Sequence, residues 1–325
     1  MNAKPIRKIA FVDGGAVPEM LNSVLPFFDH LYDLQFTKSY DADYVFHSCF
    51  GIDVLKYKGV RIFVTGENVS PNFNLSDYAL AFDPLTYGDR YRQLPLFRVY
   101  RESYAALLAP RPLAREVLAG KDSFCAYVMS NTKDSSSTRT EIFDILSTYK
   151  PVHSGGKWNN NVGGPVADKI AFQAKHKFVI TFENSSTPGY ITEKFAQAAQ
   201  SDAIPIYWGD PGISKIFNPA SFINCHDFPS LDAVLEEVKR IDNDDDLYLK
   251  MISEPWFPGR VEPEWLAEKT YVDFFRNILD QDHSMAFRRN LSRWGMKTEK
   301  RLFTMAFRPH VQAANLIKAS LRRSR

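Results

Sequence analysis

The sequence predicts an α/β protein made of two facing Rossmann-like domains. Three observations carry this. A chain of 325 residues is long enough for two domains with proper cores. Short apolar runs alternate with longer helical patterns, as in parallel α/β layers. These runs also fall into two sets of similar size, separated by a connector rich in Pro, Ala and Gly. One large α/β domain with a helical insert is the alternative architecture.

In chain order, the first set comprises IAFVD (9–13), DYVFHS (43–48), RIFVT (61–65) and YALAFD (78–83). The stretch 100–120 is helical in pattern but interrupted by Pro110 and Pro112, which marks the connector. The second set begins with SFCAYVMSN (123–131) and a helix over 139–149. KFVITF (177–182), a helix over 191–200, AIPIYW (203–208), SFINCHDF (221–228) and the amphipathic helix LDAVLEEVKRI (231–241) follow. The expected organisation is a first domain over 1–117, a second over 118–283 and a basic helical tail over 284–325. Ligands of such sheets lie at the carboxyl ends of the strands, so the cleft between the domains is the expected site.

Composition narrows the function. Hydrophobic residues make up 45% and charged residues 24%, ordinary globular values. Aromatics reach 14%, with 25 Phe and 15 Tyr, which suits large cores or platforms for flat rings. Net charge is +2, but residues 286–325 hold eleven Lys/Arg and one acid, Glu299. That segment is therefore +10, which leaves the remaining chain at −8. Three dispersed cysteines (Cys49, Cys125, Cys225) argue against a disulfide framework or a zinc site and fit a reducing compartment. MNAKPIRKIAFVDGG enters a strand at once without an apolar leader region, and no apolar run is long enough to span a bilayer. A cytosolic protein is expected.

The most informative stretch is TFENSSTPGYITEK (181–194). A strand ends at Glu183 and Asn184, and the turn after it delivers Thr192, Glu193 and Lys194 into the first turn of a helix. Free amide N–H groups and a partial positive charge make a helix N-terminus a ready place for phosphate oxygens. Lys194 is suited to neutralise a diphosphate there, and Glu193 to accept hydrogen bonds from sugar hydroxyls. Neither GxGxxG nor GxxxxGK[ST] occurs, which weighs against dinucleotide and P-loop sites.

FENSSTPGYITEKF, followed by AIPIYWGDP and FNPASFINCHDF, closely resembles the donor-binding signature of the α-1,3/4-fucosyltransferases. The likeness is greatest to bacterial members that build Lewis-type antigens. TGENVSPNFNLSDYALAFD (65–83) resembles a second block of that family, and SNTKDSSSTRTEIFDIL (130–146) a third. The resemblance implies a GT-B fold and an inverting transfer of fucose from GDP-fucose, the alternatives being a GT-B transferase of another nucleotide sugar or a non-catalytic glycan- or nucleotide-binding module. The implied acceptor is the 3-OH or 4-OH of N-acetylglucosamine in a β-galactoside, as in lipopolysaccharide chains. It also implies roles. Glu67 matches the general base that takes the acceptor's proton. Arg139 and Lys194 match the cations that hold the diphosphate, so that no cofactor and no essential divalent metal is expected. Tyr190 and Glu193 match contacts to ribose, fucose or the base, and Asn184 orients the turn. This chain departs from the family by carrying Pro188 in the turn, and the heptad repeats of some relatives are absent.

Other features read more plainly. DNDDD (242–246) resembles a metal-binding Asp run, but oxygen ligands must converge on one point, and a solvated acidic loop or helix cap is the reading adopted. His153, His226 and His283 lack partner spacing and read as structural or surface residues. In the basic tail, Phe287, Leu291 and Trp294 fall on one helical face, as do Leu302, Met305 and Ala306. A basic amphipathic helix of this kind predicts peripheral contact with an anionic membrane at its inner face. With no reader motif, nucleic acid is not an expected partner.

Overall fold

The computed structural model describes residues 4–14, 18, 21, 28–130, 136–289, 292–308 and 310. Strands in the first half are β1 (Ile6–Val12), β2 (Asp33–Phe36), β3 (Tyr44–His47), β4 (Val60–Val64), β5 (Tyr78–Ala81) and β6 (Tyr91–Gln93). Those in the second are β7 (Ser123–Tyr127), β8 (Val152–Ser154), β9 (His176–Phe182), β10 (Ile204–Trp208) and β11 (Ile223–Asn224). Helices α1 (Arg101–Leu108), α2 (Ala114–Ala119), α3 (Thr138–Ser147), α4 (Lys169–Ala174) and α5 (Glu193–Gln200) come first. They are followed by α6 (Leu231–Asp242), α7 (Asp245–Ser253), α8 (Glu268–Leu279), α9 (His283–Ala286) and α10 (Arg293–Phe307).

The strands make two sheets, in the orders β2-β1-β3-β4-β5-β6 and β11-β10-β9-β7-β8. Neighbouring strands run parallel throughout. Strands covered on both faces read as continuous apolar runs, and β3, β4 and β5 are buried at every position. This is the α/β architecture that the alternation of runs predicts. The sequence reading missed β2, β6 and β8, which are short and lie at sheet edges. DLQF, YRQ and VHS run for only three or four residues, too short for a periodicity to announce them.

The chain divides into two compact units, one of Met1–Ala81, Leu85–Gln93 and Glu268–Arg325, the other of Phe82–Pro84 and Leu94–Ala267. These bounds differ from the expected 1–117, 118–283 and 284–325, for two physical reasons. Tyr104 and Leu107 of α1 bury against Ile191, Phe195 and Ala199, which draws the prolyl connector into the second unit. Further on, Phe275 of α8 packs on Phe46 and Phe28, and Phe274 on Tyr78, all in the first unit.

The expected tail also belongs in part to the first unit. Leu302, Phe303 and Phe307 pack against the buried cluster of Ala10, Ala42, Val45, Val54, Leu55 and Tyr57. Leu302, read from the sequence as a membrane-facing residue, is therefore a packing residue. Phe287 precedes α10 in extended backbone, and Leu291 lies outside the described residues. A polar anchor accompanies this packing. The fully buried Asp77 carboxylate accepts from the backbone N–H groups of Arg288 and Arg289 at 2.7 Å each, from Arg61 N–H at 2.7 Å and from Arg289 Nη1 at 2.6 Å. Arg61 Nη2 in turn reaches Glu299 Oε1 at 2.7 Å.

Two buried histidines give the fold a pH dependence. Burial pushes His176 down to about 4, with the neighbouring His153 adding to the effect, and the two rings meet at 2.9 Å. Burial and the Arg61 charge push His47 down to about 3. A histidine whose folded value lies below its unfolded one binds its proton more readily when unfolded, so stability falls as pH drops below about 6.5. His176 alone is expected to withdraw about 3 kcal/mol by the time pH reaches its folded value. Urea midpoints measured from pH 7.5 to 4.5 check this: His176→Asn should flatten the slope, and an unchanged slope would refute the assignment.

Candidate functional site

Within the second unit, β9 and β10 run level, pairing Phe178 with Ile204 and Phe182 with Trp208. Their carboxyl ends therefore open together, and Glu183 N–H donates to Trp208 O at 2.8 Å. Gly209 follows β10, where a Cβ would lie 2.6 Å from the Glu183 side chain and 2.4 Å from the Tyr207 hydroxyl. Only glycine lets the two strand ends close in this way.

The turn after β9 is built by its residue types. Tyr190 N–H donates to Thr187 O at 3.0 Å, with Pro188 second and Gly189 third at a φ of 81°. Proline second and a positive-φ glycine third is the type II pattern. Pro188 thus supplies the fixed φ that the turn uses. Tyr190 is 3% exposed and sets its ring edge-on to Phe82 at 5.3 Å. The structure places this residue in the packed wall behind the turn.

Arg139 lies in the first turn of α3 and is buried. Its Nη1 donates to Asn184 Oδ1 at 2.9 Å, while Asn184 O accepts from Ser136 N–H at 3.0 Å. The bond ties α3 to the end of β9. Lys194 sits in the first turn of α5, with Nζ donating to Glu183 Oε2 at 2.8 Å and to Thr192 Oγ1 at 2.9 Å. Burial alone would depress this amine, but the carboxylates of Glu183 and Glu193 outweigh it and hold Lys194 well above its ordinary value. It stays charged. Glu193 opens α5, its carboxylate 3.9 Å from Lys194 Nζ. The structure thus brings together Arg139, Asn184, Tyr190, Glu193 and Lys194 around the end of β9 and the start of α5.

Glu67 lies in the first unit. It is exposed in the bend after β4, and its N–H donates to the Thr65 hydroxyl oxygen at 3.1 Å. This is the strand-end position that the apolar run RIFV predicts.

Sequence reasoning missed two residues. Glu183 was visible only as the end of a strand. That it is fully buried and paired to Lys194 depends on a turn folding eleven residues back. Lys169, at the start of α4, donates to Gln197 Oε1 at 2.6 Å. Burial lowers its pKa, partly opposed by Glu193. No pattern around it marks it as a neighbour of α5. The Asp run, by contrast, has work within the fold. Asp242 bridges Lys150 at 2.5 Å and Lys177 at 2.8 Å, and Asp244 caps α7 by accepting from Leu247 N–H. Asp242 is buried, so the solvated-loop reading fails at that residue. Burial would raise its pKa, but bonds from the two lysines outweigh that and hold it below the usual value. His226 bonds to Gly209 O and Ser186, and His283 to Asp43 O, as structural residues.

Two parallel sheets with helices make an α/β, GT-B-like fold. A solved α1,3-fucosyltransferase with GDP-fucose is 30% identical and covers 86% of this chain and 92% of its own, with a TM-score of 0.72. Residues 9–100 match the alpha-(1,3)-fucosyltransferase FucT N-terminal domain, and residues 118–256 match the glycosyltransferase family 10 (fucosyltransferase) C-terminal model. This chain belongs to the glycosyltransferase family 10 fucosyltransferases. The alpha-(1,3)-fucosyltransferase FucT of Helicobacter pylori is 34% identical over 82% of this chain and 64% of its own length, so the chain spans less than two thirds of that relative. Human GDP-fucose protein O-fucosyltransferase 3 is 30% identical over 55% of this chain and 39% of its own.

Proposed function

We propose that this protein transfers fucose from GDP-fucose to the 3-OH or 4-OH of N-acetylglucosamine in a β-galactoside such as N-acetyllactosamine, with inversion at the anomeric carbon. The observation that carries the reading is the joining of Arg139 and Lys194 to one strand end through Asn184 and Glu183, beside the amide-bearing start of α5. Two fixed cations and a helix N-terminus favour the charge that develops on a departing GDP. Arg139 is suited to grip phosphate oxygens as a fork, and Lys194 as a point charge. Such a site needs no divalent ion. Glu67 acts as the base that removes the acceptor's proton as the new glycosidic bond forms.

The test is mass spectrometry of the purified protein with GDP-fucose and N-acetyllactosamine in EDTA. One added deoxyhexose on the acceptor is the expected result. Loss of product in EDTA, restored by a divalent ion, would overturn the metal-independent part. Protein and lipopolysaccharide acceptors belong in the same assay, because relatives include a protein O-fucosyltransferase.

The reading extends to location, at the inner face of a bacterial membrane. Trp294, Met296 and Met305 are 71%, 53% and 43% exposed beside Lys297, Lys300 and Arg301, and Lys297 sits over the Trp294 ring. Apolar tips among basic residues suit an anionic headgroup layer. Cosedimentation with phosphatidylglycerol vesicles is expected to weaken for Trp294→Ala and with added salt. No binding by the wild type at low salt would end this part of the proposal.

A further inference from the structure

The Lys194 ammonium is engaged before any ligand arrives. Glu183 Oε1 accepts from Thr192 N–H at 2.7 Å, and Oε2 accepts from the Thr192 hydroxyl at 2.7 Å and from Lys194 Nζ at 2.8 Å. The Thr192 hydroxyl oxygen in turn accepts from Lys194 Nζ at 2.9 Å, closing a ring of three side chains. Glu183 is fully buried and Thr192 is 2% exposed, so solvent does not compete for these bonds. Because its hydroxyl is turned toward this ring, Thr192 makes no side-chain cap on α5 although it stands at the N-cap position. A threonine there would ordinarily satisfy a first-turn amide.

We infer that Glu183 is a positioning residue for the donor site, acting with Thr192 to fix the Lys194 ammonium so that one of its N–H bonds, together with the uncapped first turn of α5, is directed to the donor's diphosphate. An ammonium has three donors, and this ring engages two. The inference rests on the proposed diphosphate role of Lys194. It assigns to the glutamate of the F-E-N string a part that touches no substrate and acts through the lysine. Glu183 also supplies the charge that keeps a mostly buried amine protonated. The charged and titratable groups around that amine are Glu183 from β9, Tyr190 and Glu193 from the turn and α5, Lys169 from α4, Tyr100 and Tyr127. Among those acting directly on Lys194, Glu183 has the largest influence, and burial opposes it.

The test uses GDP as the probe, by calorimetry from pH 6.5 to 10, on the wild type, Glu183→Gln, Thr192→Val and Thr192→Ser. Glu183→Gln is expected to weaken GDP binding about tenfold or more near neutrality, as loss of a charge-assisted bond does. Its affinity should also fall away on the alkaline side at a lower pH than in the wild type, because burial then acts on Lys194 unopposed by its nearest carboxylate. Thr192→Val should weaken GDP binding while Thr192→Ser, which keeps the hydroxyl, restores it. The valine–serine comparison decides the matter should Glu183→Gln fail to fold. Glu183→Gln that binds as the wild type does, or is weaker by the same factor at every pH, would overturn the inference and leave the donor-site reading intact. Equal binding by Thr192→Val and Thr192→Ser would do the same. A wild type that does not bind GDP would overturn the donor-site reading and this inference with it.

Discussion

Glu67→Gln should bind GDP-fucose as the wild type does and transfer it about 10²–10⁴-fold more slowly, the range that a positioned general base contributes. The substitution is nearly isosteric, and the bonds of Glu67 within the bend, its N–H to Thr65 and its carbonyl from Val69 N–H, are backbone bonds that glutamine keeps. Loop geometry is therefore preserved while the proton acceptor is lost. The cations assigned to the donor, Arg139 and Lys194, lie in the other unit, so donor affinity should not follow the loss of rate. GDP release by the two proteins at saturating donor and acceptor measures the effect on kcat, and calorimetry with GDP-fucose measures binding. An unchanged kcat would remove Glu67 from the chemistry.

Asp77→Ala carries the largest stability effect, about 3–5 kcal/mol, as expected when one partner of a buried ion pair is removed. The carboxylate receives four donors from three arginines, and its pair with Arg289 is buried on both sides. Burial already depresses Arg289 to about 10, with Asp77 opposing the fall. Without Asp77, that guanidinium stands uncompensated in the interior, and three backbone N–H groups lose their acceptor. Midpoints of urea unfolding followed by far-UV circular dichroism check this. A loss below about 1 kcal/mol would mean that water reaches these groups more freely than their burial indicates.

The same residues show what a sequence reveals and what it hides. Strands such as YVFH and YALA were legible because both faces of a parallel sheet are covered, so burial is written as an unbroken apolar run. The grouping of Asn184, Glu193 and Lys194, the proposed donor residues, was legible because they lie within one short string whose strand-turn-helix order follows from local rules. Glu183 and Asp77 were not read for what they do, since a buried carboxylate is stabilised by partners that only the fold supplies. The basic segment was legible only in part, for a related reason. Its amphipathic pattern states that one face of a helix is covered, but not by what. Leu302 and Phe307 pack on the protein itself, whereas Trp294, Met296 and Met305 stay exposed.

The return of Glu268–Arg325 to the first unit has a consequence for the order of events on the ribosome. Nascent domains ordinarily fold from the N-terminus as they emerge. Here the first unit lacks α8, Arg289 and Glu299 until synthesis has passed residue 299, whereas Leu94–Ala267 forms most of the second unit as one continuous stretch. That stretch therefore encodes the unit that matures first. Residues 1–81 wait, with the Asp77 carboxylate unpartnered by Arg289, until residues 268–299 arrive. Stalled chains released at residue 267 are expected to show a protease-resistant second unit and a digestible first one.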